Sequence, residues 1–435
     1  MSMYASTSIV LVAMVAAFVL SAIFLKSPEI SLAITAVVGL LFGVGFGWTN
    51  SFPRVLVEGL FVNLDIALLF VAASIFVNLY SATGAITTVT RNLVGRFQSK
   101  WILLAFMAVF MLIPGALTGA GSISIFVLGS MVATVVGAMG LSKKKTAAFV
   151  FMFAILSAAA PPINLWAMMI ASGSDIPYVG FSVPLLVPIL IASVFTIVYL
   201  GWGSKRKSKE EILASLPEST ENMSWWRILV PLLVLVALFV VSSSLAHYIP
   251  TLGLPLMFVL SAVAVVFCNP QKMRLKDYWK IIENTFEQIF PLIATVLSVG
   301  LLQNALSATG VKGLIGITFI TLPVVWIYAT ILFVAPVLQG ALNYGSAVVF
   351  GAPLIFLFNS MGFDPKIVAV ALSLIFPIGD CLPPSRITGR LAVEAVGYEG
   401  KYTSFLLAVL APCLVLGLLA LALMIWPNTF AFLAV

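Results

Sequence analysis

The sequence predicts an all-α polytopic membrane protein built from two inverted repeats. Three observations predict it: long apolar stretches, a motif series that recurs in order, and a one-sided distribution of basic residues. Hydrophobic residues make up 62% of the 435-residue chain and charged ones 9%, with a mean hydropathy of +1.18. No soluble interior hides that much apolar surface, so lipid is the solvent for most of it. Stretches at 7–25, 30–47, 65–82, 181–200, 228–247, 252–268, 291–307 and 402–425 each approach the ~20 apolar residues that cross a hydrocarbon core as a helix. They lack the alternation of ~10-residue barrel strands, which leaves helices to satisfy the backbone in lipid.

Residues 1–8 carry no basic residue ahead of the first apolar run, so that run is expected to be a retained span and not a cleaved leader. Cys268, Cys381 and Cys413 sit in or beside apolar segments without metal-ligand spacing and read as small buried hydrophobes. The net charge of +7 fits cytoplasmic loops of a membrane protein better than a nucleic-acid surface.

The two halves read as copies. Ser81-Ala82-Thr83-Gly84 matches Ser307-Ala308-Thr309-Gly310, Gly115-Ala116-Leu117 matches Gly340-Ala341-Leu342, Met139-Gly140 matches Met361-Gly362, and Pro161-Pro162 matches Pro383-Pro384. Each half, 1–202 and 228–435, then comprises two spans, an amphipathic stretch, a third span, a helical hairpin, a proline-broken helix and a final span. The amphipathic stretches, 49–64 and 271–289, carry Arg54, Glu58, Lys272, Arg274, Lys276, Asp277 and Lys280 among bulky apolar residues, as interfacial arms do. Between the halves, 203–227 is a soluble-looking linker with Lys205-Arg206-Lys207-Ser208-Lys209, then Glu210 and Glu211.

Counting the hairpins as re-entrant gives an odd number of crossings per half, which inverts the second copy. With the linker inside, 17 of the 22 basic residues are cytoplasmic, while Arg54, Lys312 and Lys366 are outside and Arg386 and Arg390 lie in the last broken helix. That bias is what the positive-inside rule demands, and it puts both termini outside.

The chemistry concentrates at the hairpin tips and the double prolines. Tip one runs Gly115-Ala116-Leu117-Thr118-Gly119-Ala120-Gly121-Ser122, and tip two runs Gly340-Ala341-Leu342-Asn343-Tyr344-Gly345-Ser346. Prolines 161, 162, 383 and 384 remove amide donors and free carbonyls around Ala158 to Ala160 and Gly379 to Leu382. Irregular backbone at membrane depth persists only where it lines a cavity or is buried in protein. Carbonyls and hydroxyls bind hard cations, which nominates Thr118, Gly119, Ser122, Ala160, Asn343, Gly345, Ser346 and Asp380 as cation ligands. Half-helix N-termini attract anions, which nominates Ser122, Asn164, Asn343, Ser385, Arg386 and Arg390 for an anionic substrate. An ion pair between Asp380 and Arg386 or Arg390 that only neutralises itself is the alternative for these intramembrane charges. Asp65 marks a span entrance or a second titrating site. Soluble-enzyme signatures are missing, and the single histidine, His247, falls at a loop edge. Gly43-Val44-Gly45-Phe46-Gly47 ends an apolar span with no preceding strand, so it reads as close helix packing.

These residues resemble the large membrane subunit of TRAP transporters, within the ion transporter superfamily. The resemblance rests on Gly115 to Gly140 as the first hairpin, Ala160-Pro161-Pro162-Ile163-Asn164 as the first break, and Gly362-Phe363-Asp364-Pro365, Ile378-Gly379 and Pro383-Pro384 in the second half. It implies an elevator-type secondary carrier in a bacterial cytoplasmic membrane, with sodium bound near tips and breaks and a small carboxylate as substrate. It also implies a small four-helix membrane subunit and a periplasmic binding protein as partners. Asn164 stands where the family usually has serine, and Asp380, Ser385 and Arg386 decorate the second break unusually, which keeps a stand-alone carrier of the superfamily open. A proton antiporter using Asp65 and Asp380 is a further alternative. Asn304-Ala305-Leu306, Gly310, Ile320, Leu322 and Pro323 also match the loop by which ABC permeases touch their ATPase, but the glutamate of that loop is absent and the charge bias puts the segment outside.

Overall fold

The computed structural model describes residues 3–48, 51–218, 223–244, 252–271 and 273–434. Thr49, His247 and Lys272, on which sequence expectations fell, lie outside the described residues. Every regular element among the described residues is helical, and ten of the helices are long and apolar enough to cross a membrane. The chain is a multi-pass membrane protein.

The first half comprises α1 (Met3–Leu25), α2 (Pro28–Gly45), the arm α3 (Phe52–Val62), α4 (Leu64–Ala82) and α5 (Ala85–Arg96). Its hairpin is α6 (Lys100–Thr118) against α7 (Gly121–Ser124), a π-helical turn (Ile125–Gly129) and α8 (Ser130–Ala138). Then α9 (Lys143–Ala159) stops at the double proline, α10 (Leu165–Gly173) resumes, and α11 (Ser182–Gly201) closes the half. A short linker helix, α12 (Lys209–Ser215), follows. The second half repeats the order: α13 (Trp225–Ser244), α14 (Leu254–Cys268), α15 (Leu275–Ala308), α16 (Val311–Ile320), α17 (Val324–Leu342), a π-helical turn (Ala347–Gly351), α18 (Ala352–Ser360), α19 (Pro365–Ile375), a 3-10 segment (Phe376–Cys381), α20 (Ile387–Val396) and α21 (Tyr402–Ile425).

Local chemistry explains the shared boundaries. Gly84 and Gly310 sit at φ of 77° and 71°, a left-handed turn that glycine adopts without penalty. Thr83 Oγ1 and Thr309 Oγ1 donate back to Tyr80 O and Ala305 O at 2.8 and 2.7 Å. The recurring Ser-Ala-Thr-Gly is thus the joint between a span and a short helix. Asp364 starts α19 by accepting from the amides of Lys366 and Ile367, with Pro365 at the position where a missing amide costs nothing.

Helices pack into two groups. Helices α1 to α4 pack with α13 to α15 as a panel, and the hairpins, broken helices, α11 and α21 pack around α9 and α19. Both central helices are buried along most of their length. Asn78 on α4 donates to Thr285 and Gln288 on α15 at 3.0 and 3.3 Å, and its repeat mate Asn304 on α15 donates to Val55 O on α3 at 3.0 Å. The panel is therefore cross-braced between halves by the same residue used twice.

Two expectations need correction. In the second half arm and span are one 34-residue helix, α15, whereas Asn63 separates α3 from α4. Gly59 lies against Gly300 where α3 crosses α15, so close that a Cβ on Gly300 would meet Gly59 O at 2.4 Å. The linker is not wholly solvated: Ile212 of α12 is buried, and Arg91 caps the helix by donating to the carbonyls of Leu213, Leu216 and Pro217 at 3.0–3.1 Å. Of the residues that match the ABC loop, Asn304, Ala305 and Leu306 are in the last turn of α15 and Ile320 ends α16. All three cysteines are free and buried.

Candidate functional site

Tips and breaks converge. At the first pair, Ile163 N donates to Ala116 O at 3.1 Å, and at the second, Ser385 N donates to Gly340 O at 3.1 Å. The two tips also touch, because Tyr344 OH donates to Gly119 O at 3.3 Å. Both double prolines contain a cis peptide bond.

The second tip and both breaks share one buried polar network centred on Gln339, which is 1% exposed. Its Oε1 accepts from Trp166 Nε1 of α10 at 2.9 Å and from Ser346 Oγ of the tip at 2.6 Å. Its Nε2 donates to Asp380 Oδ1 at 2.9 Å, and Thr388 Oγ1 of α20 donates to Asp380 Oδ2 at 3.0 Å. The hydrogen bonds of the Gln339 amide run to the second tip, the second break and α10, so the network fixes their relative positions.

The nominated residues divide into groups. Thr118 Oγ1 donates to Pro114 O at 2.8 Å and accepts from Ala120 N at 3.3 Å, closing the first tip. Ser122 opens α7 and is buried, as is Ala160 at the end of α9. Asn164 is fully buried: its Oδ1 caps α10 through Ala167 N, and its Nδ2 donates to Ala159 O and to Ser373 Oγ, each at 3.0 Å. Its amide is committed to holding the two broken helices together. Asn343 ends α17 at φ 49°, its carbonyl accepting from Ser346 Oγ at 2.8 Å, and Gly345 packs on Leu32 of α2.

The charged pair alternative is not what the side chains do. Among the described residues the ion pairs are Arg54 with Glu58 and Arg274 with Asp277; Asp380 is held by neutral donors. Arg386 instead lies over the Tyr402 ring at 5.2 Å, a cation–π contact, while Tyr402 OH donates to Cys381 O at 2.9 Å. The amides expected to face a substrate are engaged, Ser385 N with Gly340 O and Arg386 N with Leu382 O at 3.2 Å. Those N–H groups are therefore not open to an anion. Arg390, one turn on, is exposed. Asp65 is exposed in the first turn of α4, where a carboxylate complements the helix N-terminus.

No family model matches the chain and no curated protein matches it. Its fold is similar to two solved transporters. One is the YdaH transporter of Alcanivorax borkumensis, at a TM-score of 0.61 over 88% of this chain and 90% of that one. The other is MtrF of Neisseria gonorrhoeae, described as illuminating a class of antimetabolite efflux pumps, at 0.60 over 87% and 85%. Identity is 12% to each, so the likeness is one of fold. Both neighbours are membrane transporters in general, and neither is a TRAP subunit.

Sequence reasoning missed Gln339, Trp166, Thr388, Ser373 and Tyr402. Gln339 carried a signal, being the one amide in the apolar run ahead of the second tip. Trp166 carried none, because a tryptophan in an apolar segment reads as packing.

Proposed function

We propose that the chain is a stand-alone secondary active carrier of the ion transporter superfamily type, moving a small organic anion across a bacterial cytoplasmic membrane in exchange for or together with sodium. The observation that carries this reading is Asp380: a half-buried carboxylate at a helix break, held only by the neutral donors of Gln339 and Thr388, with an arginine nearby that does not neutralise it. A carboxylate left with acceptor capacity among hydroxyls and freed carbonyls fits a hard monovalent cation, and intramembrane charges of this kind mark ion and substrate pathways. Arg386 supplies the cation that an anionic substrate needs, with Ser122, Asn343 and Arg390 on the route to it. Inverted repeats with a site at their junction suit alternating access, with the hairpin-and-break group moving as an elevator against the panel. Both termini lie outside and the linker inside. The efflux assigned to MtrF fits the same arrangement run in the export direction.

A second reading, favoured by the hairpin and double-proline motifs, makes the chain the large subunit of a TRAP transporter with a small four-helix subunit and a periplasmic binding protein. One experiment tests both. Purified chain in proteoliposomes is given a sodium gradient and a panel of labelled carboxylates; uptake by the chain alone supports the stand-alone carrier, and uptake only with binding protein and small subunit supports the second. Flux driven by pH alone, without sodium or organic anion, rejects both.

A further inference from the structure

The repeats are not used alike at the interface between the panel and the hairpin-and-break group. At the C-terminal end of α10, Gln303 Nε2 of α15 donates to Ser172 O at 3.2 Å and Lys312 Nζ of α16 donates to Gly173 O. Ser172 Oγ in turn donates to Asn63 Oδ1 at 3.2 Å. A helix end leaves its last carbonyls without partners and carries partial negative charge, so an amide and a lysine are the groups that bind it. Here both caps come from outside the group to which α10 belongs. Beside them α16 packs on α18 of the second hairpin.

The first half presents a different surface at the equivalent place. Displaced by the 226 residues that separate the two Ser-Ala-Thr-Gly joints, Gln303 corresponds to Val77 and Lys312 to Ile86. Both line an apolar crevice of about 200 Å³ between α4 and α5 and Leu117 and Leu128 of the first hairpin. The mate of α10, α20, ends at Gly397, whose carbonyl accepts from Lys143 Nζ of α9 at 3.1 Å, a cap that comes from within its own group. One side of the group is thus held through polar caps, whereas on the other α4 meets the first hairpin through apolar contacts beside that crevice.

We propose that Gln303 and Lys312 form a releasable clasp, which holds α10 against the second-half panel in the conformation seen here and lets go when the carrier opens on that side. This rests on the carrier reading. The clasp is small enough to release: it consists of the hydrogen bonds of Gln303, Lys312 and Ser172, and such bonds inside a membrane protein are worth about 1 kcal/mol each. With valine and isoleucine at the equivalent positions, the opposite state has no such clasp, so the resting carrier populates this one.

The test reads opening without substrate or gradient, so its failure is distinct from failure of the carrier reading. In purified protein lacking the native cysteines, Ser172→Cys reports clasp opening through its rate of maleimide labelling. Replacing both caps, Gln303→Leu with Lys312→Met, is expected to raise that rate roughly 5- to 30-fold, the factor that two hydrogen bonds inside a membrane protein supply. Lys312→Arg keeps a cation on Gly173 O and is expected to label like the parent, and the exposed Val179→Cys is expected to label equally in all backgrounds. If the double variant aggregates, each single replacement reads a part of the effect. Equal Ser172→Cys rates in monodisperse parent and variants overturn the clasp, as does acceleration by Lys312→Arg equal to that of Lys312→Met.

Discussion

Gln339 Nε2 donates to Asp380 Oδ1 at 2.9 Å, while the same side chain's Oε1 receives Trp166 Nε1 at 2.9 Å. One amide thereby spans the second hairpin, the second break and the half-helix of the first break. No apolar residue can replace it without leaving an indole N–H and a carboxylate oxygen short of partners, while the Ser346 hydroxyl keeps Asn343 O.

Gln339→Leu is accordingly expected to cost about 1–3 kcal/mol for the strongest of the groups it strands, seen as a lower Tm in detergent, and to reduce sodium-driven uptake. Trp166→Phe removes one donor and keeps most of the ring, so its penalty is expected to be smaller. Asp380→Asn keeps an acceptor for one donor and is expected to fold while losing sodium dependence. A Gln339→Leu protein with unchanged Tm and uptake would show that the network positions nothing.

Arg386 stacks on Tyr402 and leaves Asp380 to neutral donors. If an anionic substrate is its partner, Arg386→Ala is expected to weaken substrate binding by about ten- to a hundredfold, the range of a charge-assisted hydrogen bond. Arg386→Lys keeps charge but loses the planar fork and its stacking, so its loss is smaller but measurable by isothermal titration. The double variant Asp380→Asn with Arg386→Gln is expected to stay inactive, because there is no ion pair to remove as a unit; recovered uptake would restore the structural role for the arginine.

What could be read before folding was what depends on local composition. The helical class, the spans and the repeat were legible because each Ser-Ala-Thr-Gly, Met-Gly and Pro-Pro imposes its own local geometry, as Gly84 and Gly310 show. The tips and breaks that converge in the fold were legible for the same reason. Partners were not: the sequence leaves open a pair of Asp380 with Arg386 or Arg390, yet the break turns the carboxylate to Gln339, 41 residues earlier, and the Arg386 guanidinium to Tyr402. Asn164 reads as a ligand and is a helix cap bound to Ser373, and no pattern in sequence connects two residues that meet only when both broken helices pack.

Topology can be tested with the reporters that the burial pattern selects. Residues 171–180 and 308–321 are expected outside and 203–227 inside, on the charge bias. Ser174 is buried, its hydroxyl donating to Ile170 O, so the exposed Val179 is the better outside reporter. In intact cells and a background without native cysteines, an impermeant maleimide is expected to modify Val179→Cys and to spare Ser208→Cys until the membrane is opened. Labelling of Ser208→Cys alone reverses the orientation and the charge argument with it.

The close approach of tips and breaks makes a last prediction, which separates packing glycines from permissive ones. A Cβ on Gly379 would lie 2.0 Å from Pro336 O, and one on Gly340 would lie 2.8 Å from Pro383 O, both backbone atoms that cannot rotate away. On Gly115 it would fall 2.0 Å from Ser157 Oγ, a hydroxyl hydrogen-bonded to Ser124. Gly313 and Gly316 on α16 have nothing within 4 Å of the same position. Overpacking costs about 1–3 kcal/mol and more where backbone must shift, so Gly379→Ala is expected to lower the Tm most, with Gly340→Ala and Gly115→Ala following. At Gly313 and Gly316 the exchange relieves a helix of glycine's entropy and is expected to be neutral or to stabilise by up to about 1 kcal/mol. Thermal unfolding of the five alanine variants, followed by monodisperse recovery in detergent, measures the order. Equal Tm values for Gly379→Ala and Gly313→Ala would mean that the second tip does not press on its break, and the convergence on which the site rests would fall with it.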